Sequence, residues 1–162
     1  MRTRQPTTTL EDQRIPVRVK LAAAWTSVMF LYVYVDILAF FKPGVINGIL
    51  AGKVWEFDVS QTLLTTFLAL MAIPIFMVVL SMTLPARANR ITNLVVASIQ
   101  IPYAAFNVVG GSYTFFYGLG VVLEVTLLVL ILRYAWTWPR TAPSVPVATT
   151  PYRETLRAEQ QA

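Results

Sequence analysis

The chain contains no cysteine and no histidine. Disulfides, thiol redox centres, Cys/His zinc sites and histidine-held haem are therefore excluded. Neither a Ser-His-Asp triad nor a Cys-His pair can be assembled. Charge is also scarce: only 13% of the 162 residues are charged, whereas 56% are hydrophobic. Too little polar sequence remains to coat a soluble globule. No P-loop, no GxGxxG opening a helix after a strand and no zincin pattern occurs. Gly118-x-Gly120 is too short to count as a phosphate loop, and no cofactor or metal is called for.

What the chain does have is apolar length. A hydrocarbon core takes about 20 apolar helical residues to cross. Four stretches qualify, at about residues 20–41, 60–84, 91–109 and 113–135. This predicts an all-α fold, an integral membrane four-helix bundle occupying residues 20–135. Residues 1–19 read as a flexible basic tail and residues 136–162, with Pro139, Pro143, Pro146 and Pro151, as a flexible Pro/Thr-containing tail. The first span follows Arg14, Arg18 and Lys20, but it is too long for a signal-peptide core. It reads as an uncleaved first helix. Lys42-Pro43-Gly44 should stop it. The connection to Val59 is expected to hold a short interfacial helix or re-entrant turn, with Trp55 at the headgroup boundary. Pro85 to Arg90 reads as a short turn that makes spans two and three antiparallel neighbours.

The net charge of +5 is unevenly placed. All Lys and Arg except Lys42 and Lys53 fall in the two tails, at the span ends beside them (Lys20, Arg133) or in the Arg87/Arg90 turn. The positive-inside rule then puts both termini in the cytoplasm. The same basic end suits anionic lipid headgroups better than nucleic acid. The expected location is a cell membrane, the bacterial inner membrane, crossed several times.

Two spans carry a lone carboxylate, Asp36 in the first and Glu124 in the fourth. Acids inside a membrane are costly and usually face protein or water. At a rise of about 1.5 Å per residue, Asp36 lies roughly 7–8 Å below the outer surface and Glu124 roughly 15 Å deep. Asn107 shares the level of Asp36, and Gln100 that of Glu124. Asn93, Ala97, Gln100, Ala104, Asn107 and Gly111 form one stripe along span three, expected to face the bundle. Gly120 lies one turn from Glu124 and leaves room beside it. In span one, Met29, Tyr32, Asp36 and Phe40 share a face. The candidate intramembrane site is thus Asp36, Gln100, Asn107 and Glu124, and the candidate cytoplasmic-turn contacts are Arg87, Arg90 and Asn93. Each has a bland reading beside the functional one. Asp36 could cap the helix end or meet Lys42 or Lys53, Glu124 could be a hydrogen-bonded structural residue, and the stripe could be packing alone.

Several short motifs carry a resemblance. Tyr34-Val35-Asp36-Ile37-Leu38, Pro43-Gly44, Ile73-Pro74, Met77, Leu80-Ser81, Leu84, Asn89-Arg90, Asn93 and Glu124 together resemble an uncharacterised family of small four-span bacterial membrane proteins, a domain of unknown function. The resemblance covers about residues 18–135, and more loosely the layout looks like that of four-span DoxX-like proteins. The resemblance implies topology and draws attention to Asp36, Arg90 and Glu124 without assigning a role.

The leading expectation is a non-enzymatic membrane subunit or partner-binding protein, in a homo-oligomer or larger complex. The alternative is a small proton-coupled transporter or channel-like oligomer using Glu124 and Asp36, with Tyr32, Tyr34, Tyr103 and Tyr117 lining a cationic site. A lipid- or quinone-directed enzyme is the weakest reading, since no nucleophile–base pair is visible.

Overall fold

A computed structural model describes residues 14–106 and 113–139. Four long helices dominate it, labelled α1 (Val17–Ala39), α3 (Gln61–Thr83), α4 (Ala86–Phe106) and α5 (Thr114–Trp136). Between α1 and α3 lie a short helix α2 (Val45–Leu50) and two strands, β1 (Lys53–Val54) and β2 (Phe57–Asp58). Local chemistry explains most boundaries. Pro16 precedes α1, where its missing N–H costs nothing. Gly44 takes the left-handed conformation (φ 86°) that starts α2. The hydroxyl of Ser60 accepts from the N–H of Leu63 at 3.1 Å and caps α3. Pro85 follows the end of α3, and α4 begins at once with Ala86.

The connection after α1 holds the short helix expected of it, and then a feature the sequence did not suggest. β1 and β2 pair antiparallel, Lys53 opposite Asp58 and Val54 opposite Phe57. Strands of two residues are too short to show an alternating pattern. The segment read as a turn from Pro85 to Arg90 is helical from Ala86 onward.

Three helices, α1, α3 and α5, are long and apolar enough to cross a membrane. By the same measure α4 falls short, because Arg87, Asn89, Arg90, Asn93 and Gln100 interrupt its apolar residues. Several of these polar side chains are hidden against the other helices: Asn89, Asn93 and Gln100 are all buried.

Helix α1 packs against both α3 and α5, and α4 packs chiefly against α5. The core lies where these helices meet and comprises Leu21, Trp25, Val28, Met77, Leu128 and Ile131, all essentially inaccessible. Its outer surface is apolar, with Phe30, Leu68, Ile91 and Phe115 exposed. Lipid competes with such side chains as well as protein does, so tight packing and buried hydrogen bonds must hold the helices together. Pro74 inside α3 is itself buried in this core, and Pro102 lies inside α4.

Candidate functional site

Polar side chains occur at three levels along the helices. The first, nearest the basic end, is a closed network. Trp25 on α1 donates its indole N–H to Oδ1 of Asn93 on α4 at 2.7 Å. The hydroxyl of Ser81 on α3 donates to the same oxygen at 3.3 Å. The amide of Asn93 donates to the backbone oxygen of Asn89 at 2.9 Å and to Oδ1 of Asn89 at 2.6 Å. The amide of Asn89 in turn donates to the backbone oxygen of Ser81. Three helices are thereby joined through groups that are wholly buried. Such groups are costly to leave unpaired, so the network fixes the register of α1, α3 and α4.

The second level holds Glu124. This carboxyl is buried (4% exposed) on α5. Its Oε1 accepts a hydrogen bond from the phenol of Tyr32 on α1. Gln100 shares that depth, but the bond is made by Tyr32. One turn further out, a Cβ on Gly120 would stand 3.3 Å from Cγ2 of Val35. The glycine therefore lets α1 and α5 approach closely beside the pair. Gln100 is buried on α4 without a hydrogen-bond partner among the described residues. Tyr103 lies one turn beyond it on α4.

Asp36 itself is exposed on α1. Tyr32 is the last buried residue of α1, one turn before the acid. The acid pairs with neither Lys42 nor Lys53. Asn107, its expected partner, lies outside the described residues, as does Gly111 of the span-three stripe. The described members of that stripe, Asn93, Ala97, Gln100 and Ala104, are all buried as the spacing predicted.

The third level closes the end away from the arginines. Nζ of Lys42 donates to the Tyr117 hydroxyl at 3.0 Å and stands 4.6 Å and 5.3 Å from the ring centroids of Tyr117 and Tyr113. Here an ammonium is held by two phenol rings, a favourable cation–π arrangement. Of the tyrosines considered for a cationic site, Tyr32 and Tyr117 are thus engaged by protein groups and Tyr34 points outward.

At the basic end Arg87 is exposed, and Arg90 sets its guanidinium carbon 5.8 Å from the Trp136 ring centroid. Sequence reasoning placed Asn93 with these turn residues, but it belongs to the buried network. Tyr32 was visible as a residue sharing a face with Asp36 and as one of the tyrosines of a cationic site, not as the partner of Glu124. Its role beside Glu124 needed the rotation of α1 against α5.

The fold and these sites define a helical protein with membrane-capable helices cross-linked by buried polar bonds. Its sequence matches, over residues 12–144, the profile described as Family of unknown function (DUF6326), and the chain belongs to that family. No curated protein and no solved structure matches it.

Proposed function

We propose that this protein is a non-enzymatic, multi-pass subunit or partner-binding protein of a cell membrane. In this reading the four long helices cross the bilayer as a bundle, α4 included, and both termini lie in the cytoplasm. The burial of Asn89, Asn93 and Gln100 supports a fourth crossing, because their polarity is turned from lipid. The placing of Arg18, Arg87, Arg90 and Arg133 at one end supports the orientation. A bacterial inner membrane fits the same charge pattern.

One observation carries the choice of class. The central acid, Glu124, is engaged by Tyr32 inside a packed helix pair. A carboxyl so held serves as a cross-link between helices. The test reads two quantities on the same purified samples, thermal stability and proton-driven flux in liposomes. Glu124→Gln and Tyr32→Phe should lower stability, and wild-type liposomes should show no proton-driven flux. Flux abolished by Glu124→Gln at unchanged stability would overturn the reading.

A second reading, a proton-coupled transporter or channel-like oligomer, draws on Asp36. An exposed acid within a span, unpaired among the described residues, is what an entry path would use. That reading requires flux to depend on Asp36 as well.

A further inference from the structure

The basic end of the helices carries charge that no described carboxylate balances. Arg18 and Lys20 on α1, Arg87 and Arg90 on α4 and Arg133 on α5 gather there, while the acids of the described residues are Asp36, Glu56, Asp58 and Glu124. None of these arginines and lysines pairs with a carboxylate among the described residues. Arg18 has a protein partner: its Nη1 donates to the backbone oxygen of Met82 at 3.0 Å, capping the end of α3. Lys20 stands 5.7 Å from the centroid of the Tyr134 ring. Arg87 and Arg90 have no hydrogen-bond or ion-pair partner among the described residues.

These two arginines are three residues apart on α4, so they share a face. Nε of Arg90 is buried without a hydrogen-bond partner. Its stem is packed and its guanidinium lies against Trp136, while the two terminal nitrogens reach the surface. Both arginines sit in the opening turns of a helix that has no acid there. That end of a helix is already positive, so two further cations are electrostatically misplaced unless an anion joins them. Trp136, exposed beside Arg90, suits the headgroup level of a bilayer.

We infer that Arg87 and Arg90, backed by Trp136, bind the phosphate of an anionic phospholipid at the start of α4. This rests on the reading that the basic end lies at the cytoplasmic membrane face. A phosphate there would accept from both guanidinium groups, which match its geometry better than an ammonium would. The lipid chains would run down the apolar outside of α4, past the exposed Ile91 and Val95.

The experiment compares the full chain in nanodiscs of phosphatidylcholine alone and of phosphatidylcholine mixed with phosphatidylglycerol. Wild-type protein should melt higher in the mixed discs. Arg90→Gln and Arg87→Gln should each lose at least half of that rise, and Arg133→Gln should keep it. Arg87 is exposed and makes no hydrogen bond to a described residue, so its variant reports on the site even if Arg90→Gln folds poorly. An equal rise in all variants would overturn the inference in favour of diffuse charge attraction. The same rise from inorganic phosphate in phosphatidylcholine discs would assign the site to free phosphate instead. Nanodiscs expose both faces, so the result is independent of orientation. Labelling that puts this end outside the cell would sink the underlying reading alone.

Discussion

The indole N–H of Trp25 points at Oδ1 of Asn93 from 2.7 Å, linking α1 to α4 across 68 residues of chain. Both side chains are fully buried. Replacing Asn93 would strand the indole and the Ser81 hydroxyl, which donate to it, and Oδ1 of Asn89, which accepts from it. Asn93→Leu should therefore cost about 1–3 kcal/mol, more than any single-bond loss. Thermal unfolding in detergent checks this. Trp25→Phe, which strands fewer groups, should cost less.

The glycine beside the buried acid makes a second prediction. A Cβ at Gly120 would press on Val35 at 3.3 Å, tighter than ordinary contact. Gly120→Leu should destabilise by about 1–3 kcal/mol through overpacking. Gly120→Ala should be milder, and Val35→Ala should relieve it. If Gly120→Leu melts like wild type, α1 and α5 are not in this contact.

The lysine held by two tyrosines should matter locally rather than globally. Lys42→Gln removes a hydrogen bond and two cation–π contacts at the end of α1. The expected loss is about 1 kcal/mol. Amides of Thr114 to Gly120 should exchange faster while those of Leu128 to Ala135 stay protected. Hydrogen exchange measured by mass spectrometry separates the two segments.

Orientation is directly testable because the chain has no cysteine of its own. A cysteine introduced at Glu56 in the hairpin, or at Thr137 beyond α5, is unique in the molecule. An impermeant maleimide applied to whole cells should label the first and spare the second. The opposite pattern would reverse the topology.

Much of this architecture was legible in the sequence. Unbroken apolar length announced α1, α3 and α5, and the spacing of Asn93, Ala97, Gln100 and Ala104 announced the buried face of α4. Depth along a helix followed from counting residues, which put Glu124 in the middle. Counting could not say which polar neighbour turned toward it, since that depends on helix rotation and on the close approach at Gly120. Gln100 and Tyr32 were both available, and the structure pairs Tyr32. Asp36 shares a face with Tyr32 in the sequence, yet Tyr32 is the last buried residue of α1 and the acid is exposed. The role of Asn93 was half visible: its face was right, but its indole partner lies on another helix.

The central claim is that Glu124 holds α1 to α5 through Tyr32. The most direct measurement is a double-mutant cycle in lipid nanodiscs with Tyr32→Phe, Glu124→Gln and both together. Buried hydrogen bonds between membrane helices are worth about 0.6 kcal/mol on average and up to about 1.7. The account predicts that each single variant is destabilised and that the double variant loses less than the sum, by an amount near the upper figure. Additive losses, or single variants as stable as wild type, would contradict it.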